Sequence, residues 1–177
     1  MPSVLSHPAV PLAIAIGLGG KTVPPRLAIV ACVASAVPDL DSLGYMAGVP
    51  YSSPLGHRGF THSLFFAFLL ALLASAFAGR LGASLSVVFA VILISAASHG
   101  ILDAMTTGGM GVAFFSPFSN ARYFLPWRVI LVSPISVTRF LSERGTAIVK
   151  SELLWVWLPC AVVATLGVAV RRVVRVA

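Results

Sequence analysis

HRGFTHSLFFAFLLALLASAF, residues 57–77, sets two histidines and an arginine at the mouth of an uninterrupted apolar run. The run itself reads as a membrane helix, which needs a long stretch free of charge. Lipid has no use for the imidazoles that precede it. Ionisable groups at membrane depth are costly and mark function by default, so the stretch asks for partners elsewhere in the chain.

Composition agrees with the membrane reading. Of 177 residues, 58% are apolar and only 10% are Asp, Glu, Lys or Arg, against roughly 25% in soluble chains. Mean hydropathy is +0.99. No segment is polar enough to cover a separate soluble domain, so residues 1–177 read as one membrane-embedded domain. Net charge is +7, but basic residues cluster only at RRVVR, 171–175. That pattern suits anionic lipid headgroups and excludes a nucleic-acid groove. Cys32 and Cys160 lie in apolar runs as small buried hydrophobes, with no CxxC or disulfide framework. The N-terminal apolar stretch lacks a basic flank and reads as retained structure.

Outward from 57–77, five apolar segments are expected at 8–20, 26–47, 62–79, 84–104 and 153–170. They make a small all-α bundle. The first spans only about 20 Å of a roughly 30 Å hydrocarbon core, as a partial or re-entrant helix. Pro38 should end or kink the second near Val37. Thr61 is the expected N-cap of the third, with His62 its first residue. Gly79 and Gly82 bracket Arg80 in a turn. The motif core covers 1–125. Residues 105–152 read as a loop and interfacial segment, with an amphipathic helix from Ile135 in which Arg139 and Glu143 pair four apart. The last transmembrane helix is 153–170.

Threaded up and down, Lys21, Arg26, Arg80, Arg171, Arg172 and Arg175 share one side, and every acid and histidine falls toward the other. The short-loop charges place the basic side in the cytoplasm and the opposite side outward. His7, Asp39, Asp41, His57, His62, His99 and Asp103 then meet at one level. His99 and Asp103, four apart, point the same way from adjacent helical turns. His57 and His62, five apart, converge only if 57–60 is a turn, which Gly59 permits. Imidazole and carboxylate without thiolate suit zinc, with manganese or iron as alternatives. The metal candidates are His7, Asp39, His57, His62, His99 and Asp103, for one or two ions. Asp41, Asp39 and Arg58 are the candidate catalytic groups, Asp41 as general base. Arg58 and Arg122 are placed to hold a phosphate. A structural polar network and a proton or ion relay are the competing readings of the same residues. A site at bilayer level favours a lipid or lipid-linked substrate, with phosphoester hydrolysis ahead of ester or amide hydrolysis.

His7, PDLD at 38–41, HRGFTHS at 57–63, HGILDAMTTGG at 99–109, SPFSNARYF at 116–124 and SPI at 133–135 occur in that order. Together they resemble a family of bacterial and archaeal inner-membrane proteins described as LexA-binding, inner-membrane-associated, metal-dependent hydrolases. The resemblance implies a prokaryotic inner-membrane location, a His/Asp metal site and, as a further partner, a regulator protein. Many of that family carry an acid after the PFS triplet. Here the position is Asn120, taken as a substrate-contacting residue. The layout is more distantly similar to zinc-dependent phospholipases C.

Overall fold

The structure, a computed structural model, describes residues 1–134, 140–141 and 143–176. Six helices carry the fold. They are α1 (Ala9–Leu18), α2 (Pro25–Ala36), α3 (Leu64–Ser75), α4 (Leu85–Ala104), α5 (Glu143–Glu152) and α6 (Leu158–Val176). Among the described residues there is no strand, only isolated bridges between Thr106 and Ile130 and between Val112 and Tyr123. The expected all-α membrane bundle is what forms.

Pro38 acts where the sequence places it. It cannot donate to the α-helical ladder, so α2 tightens into a 3₁₀ turn at Val37–Leu40 and resumes as a short helix at Asp41–Met46. The tightened turn lies where PDLD must present its carboxylates. The whole of Pro25–Met46 is 22 residues, long and apolar enough to cross a membrane, as are Leu85–Ala104 and Glu143–Val174. α1 and α3 are shorter apolar helices.

The third helix begins later than expected. Ser63, not Thr61, is the N-cap, and its side chain accepts from the Phe66 N–H at 3.0 Å. His62 instead ends a 3₁₀ turn, Phe60–His62. Thr61 is drawn away because its hydroxyl donates to Asp41. Between α3 and α4 the Arg80 turn is one helical turn, Ala78–Leu81.

The membrane core is built where α2, α3 and α4 meet through Leu27, Ala31, Ala71, Val88 and Ile92, all buried. α1 packs on α6 at the other side of the bundle. There Gly17 and Gly167 face each other so closely that a Cβ on Gly167 would fall 2.8 Å from the Gly17 Cα, the small-residue contact that lets membrane helices approach.

The segment expected as a separate interfacial helix differs. α5 runs without a break through a π-helical stretch, Leu153–Trp157, into α6, so that Glu143–Val174 is one 32-residue helix. The reason is a tertiary contact: Glu152 is buried against the N-terminal segment rather than facing water. Arg139, the expected partner of Glu143, lies outside the described residues. Residues 105–134 form the expected irregular loop, which wraps the 57–63 turn. Ala113 N–H donates to the Arg58 carbonyl and Leu64 N–H to the Phe114 carbonyl.

Candidate metal centre

Asp39 comes from the 3₁₀ turn after α2, His62 from the turn before α3, and His99 and Asp103 from successive turns of α4. The four are buried, and one ligand atom from each lies within 4.8 Å of the others. His62 Nε2 is 3.0 Å from His99 Nε2, 3.3 Å from Asp103 Oδ2 and 3.8 Å from Asp39 Oδ1. His99 Nε2 is 3.4 Å from Asp39 Oδ1. Ligands about 2.0–2.1 Å from a tetrahedral zinc stand about 3.3–3.4 Å apart, so the spacing matches the edges of such a site.

The tautomers are fixed from behind. His99 Nδ1 lies 2.7 Å from the Ser35 carbonyl, which can only accept, so that nitrogen carries the hydrogen. His62 Nδ1 lies 3.1 Å from Asp41 Oδ2, a carboxylate oxygen that likewise accepts. In the neutral rings both Nε2 atoms therefore keep a lone pair, and the two lone pairs face each other. Carboxylate–histidine and carbonyl–histidine pairs of this kind orient metal-binding imidazoles.

Further polar atoms in the cluster have no hydrogen-bond partner among the described residues: both nitrogens of His7, both oxygens of Asp39 and both oxygens of Asp103. Leaving so many buried polar atoms unpaired is expensive. Arg58 Nε is 3.0 Å from Asp103 Oδ2 but is not aligned as a hydrogen-bond donor, and the Met1 amino nitrogen is 3.8 Å from Asp103 Oδ1. Counting side chains, three carboxylates face one guanidinium. The excess negative charge is what a divalent cation offsets, and the residues present fit such an ion.

His7 sits beside the four. Its ring stacks on His99 with centroids 3.7 Å apart and planes 17° apart, and its Nε2 is 3.6 Å from Asp39 Oδ2. Burial, reinforced by His99, pushes its pKa down to about 3, so the ring is neutral and its lone pair available. His62 goes the other way. Burial disfavours its protonation, but the carboxylates of Asp103 and Asp41 outweigh that and hold its pKa up to about 9. Without an ion, a proton takes the place between those carboxylates.

Asp41 is shared out differently. It accepts from His57 Nδ1 at 2.6 Å, Thr61 Oγ1 at 2.7 Å and the Arg58 N–H at 3.1 Å, besides facing His62. Four donors occupy its two oxygens. His57 is thereby joined to Asp41 and stands edge-on to His62, one step from the four-donor group. His57 and His62 do converge through a turn, but the left-handed residue is Arg58, at φ 64°, a conformation that side chains seldom adopt. Gly59 is needed for another reason: a Cβ there would collide with the Pro54 carbonyl oxygen.

The arginines are anchored. Arg58 is fully buried and donates to the Gly108 carbonyl and Thr106 Oγ1 at 3.0 and 3.1 Å. Arg122 donates to the carbonyls of His57, Tyr51 and Ser53. Asn120 is exposed on the outer loop, accepting from Ser116 Oγ at 3.3 Å, and is not brought to the cluster.

Three contributors escape a reading of the sequence. Ser35 supplies a backbone carbonyl, which no side-chain pattern announces. Gly100 lets the 60–62 turn approach α4, since a Cβ there would lie 2.8 Å from the His62 carbonyl oxygen; its place beside His99 in HGILD was the available signal. Glu152 closes the cluster from outside. Its carboxylate accepts from the Ser3 N–H, from Ser3 Oγ at 2.6 Å and from Ser6 Oγ at 2.7 Å, and Trp157 Nε1 donates to Ser6 Oγ at 3.2 Å. This clasp holds the segment that carries His7.

Comparison with known proteins fits this picture. The profile of the family described as YdjM inner membrane protein matches residues 1–176. Inner membrane protein YbcI of Escherichia coli (strain K12) is 46% identical over 161 residues, covering 90% of this chain and 92% of that protein. No solved structure matches. Neither description names an activity, a metal or a partner; both name the membrane in which three long apolar helices belong. The chain is an integral inner-membrane protein and belongs to the YdjM family.

Proposed function

We propose that this protein is a metal-dependent hydrolase that holds one divalent ion, zinc in the first place, on His62, His99, Asp39 and Asp103. Its substrate is a phosphoester of a lipid or lipid-linked molecule. The observation that carries the reading is the pair of facing Nε2 atoms at 3.0 Å, each the nitrogen left to coordinate by the commitment of its Nδ1 once His62 gives up its extra proton. A bound divalent ion would lower the pKa of water toward neutrality and polarise a phosphoryl oxygen.

The chain's own residues do the rest. Asp41 and the Ser35 carbonyl hold the two imidazoles in the tautomer that binds. His7, neutral and with both nitrogens unpartnered, stands ready as a fifth donor. Asp39 Oδ2, turned away from His62 and His99, takes the proton released as water attacks. Arg58 balances Asp103 and fixes the turn that carries His57 and His62.

A lipid substrate is favoured by the site's surroundings. The loop that wraps the cluster exposes Phe115, Phe118 and Trp127, apolar and aromatic groups suited to the headgroup layer. Zinc-loaded protein in lipid nanodiscs should release phosphate or headgroup from a lipid phosphomonoester or phosphodiester, and Asp39→Ala or chelation should abolish it. Ion uptake into sealed vesicles that survives strict chelation, with no hydrolysis, would transfer the cluster to a relay.

A further inference from the structure

At the end of the bundle opposite the His/Asp cluster, a cleft of about 530 Å³ lies between the end of α1 and α6, beside the Gly17–Gly167 contact. Its lining combines the polar Lys21, Thr22 and Arg171 with the apolar Leu18, Val170 and Val174. Arg171 Nη1 is buried and has no hydrogen-bond partner among the described residues. None of the chain's five acidic residues lines the cleft, and among the described residues neither Lys21 nor Arg171 has a carboxylate partner. A buried guanidinium nitrogen without an acceptor is costly, and two cations with no counter-charge call for an anion.

We propose that this cleft binds the headgroup of an anionic phospholipid, with the phosphate between Lys21, Arg171 and Thr22 and the first part of an acyl chain along Leu18, Val170 and Val174. The apolar wall selects a phospholipid over a free anion. Val170 and Val174 are exposed on α6, so the cleft opens toward the hydrocarbon. Basic pockets between membrane helices bind acidic headgroups in this way, each basic side chain adding to the preference. The site is separate from the metal cluster and does not depend on its chemistry.

The test compares lipids that differ only in the headgroup. Protein purified in detergent is given equal amounts of phosphatidylglycerol and phosphatidylcholine with identical acyl chains, and retained lipid is counted by native mass spectrometry. Wild type should retain phosphatidylglycerol about tenfold or more over phosphatidylcholine. Lys21→Gln with Arg171→Gln should remove most of that preference. Val170→Trp, which fills the cleft and leaves the charges in place, should lower retention of phosphatidylglycerol as well. Arg26→Gln should not, because Arg26 lies outside the cleft, bonded to the Arg80 carbonyl. Millimolar inorganic phosphate should fail to displace the lipid. Equal retention of both lipids, loss shared by Arg26→Gln, or displacement by phosphate would each overturn the proposal, the last pointing to a free-anion site.

Discussion

The histidines divide by what stands behind them. His62 and His99 each have one nitrogen committed to an acceptor and the other turned to the centre, whereas His57 is held by Asp41 and His7 by no hydrogen bond. Substitutions should separate these roles. Asp39→Ala should abolish metal binding, because it removes a donor. Asp41→Asn should keep the stoichiometry and weaken affinity about 10–100-fold, since it disturbs the orientation of His62 and the turn that carries it but removes none of the four donors. Titration against a chromophoric chelator distinguishes the two. A pH dependence follows as well. In the metal-free protein the proton on His62 is retained up to about pH 9, so uptake of an ion must release it. Affinity should therefore rise about tenfold per pH unit below that value and level off above it, with proton release measurable in weakly buffered solution. Affinity that is flat from pH 6 to 9, on the order of those limits, would remove His62 from the ligand set. At this scale the sequence was informative because membrane chains carry so few polar groups that nearly every one signals a role. Which of them touch was less legible: Asp39 and Asp41 are two apart, and only the 3₁₀ turn after Ala36 sends one to the centre and the other to His57.

Between elements, two joints keep the cluster closed. Gly100 is the contact of α4 with the His62 turn. Gly100→Ala should push the His62 carbonyl away, costing about 1–3 kcal/mol of stability and a large part of the metal affinity, as thermal melts with and without metal would show. Glu152 is the contact of α5 with the N-terminal segment. Glu152→Ala leaves Ser3 and Ser6 without their acceptor, a loss of about 1–3 kcal/mol. Carbethoxylation followed by peptide mass spectrometry should then find His7 reactive while His62 and His99 stay protected; equal reactivity of all three would mean general loosening. Helix positions were legible from apolar run lengths, and the Pro38 break from the missing N–H. The start of α3 was not, because Thr61 and Ser63 are both good caps and only the tertiary bond of Thr61 to Asp41 decides between them. Nor was the continuity of α5 with α6, since a charged stretch before an apolar one reads as a boundary. Burial of Glu152 against two serines is a long-range event that local pattern does not carry.

Across the whole molecule, charge is polarised. Lys21, Arg26, Arg80 and Arg171 stand at one end, and the His/Asp cluster stands toward the other. Short-loop basic residues favour the cytoplasm, so the His/Asp cluster should face the extracytoplasmic side. Leu55, exposed on the loop beside the site, offers a position to check this. A Leu55→Cys variant in a background lacking Cys32 and Cys160 should be labelled by a membrane-impermeant maleimide in intact spheroplasts. Protection there, with labelling only after lysis, would invert the topology.

On the proposed function, the polar centre of this apolar bundle holds a metal ion. Mass-spectrometric metal content of the detergent-purified protein tests it directly, with His62→Ala and Asp103→Ala beside the wild type. About one equivalent of zinc, or of another divalent metal, in the wild type and none in either variant is the expected result. A folded wild type that carries no metal and takes up none when zinc, manganese and iron are supplied would contradict it.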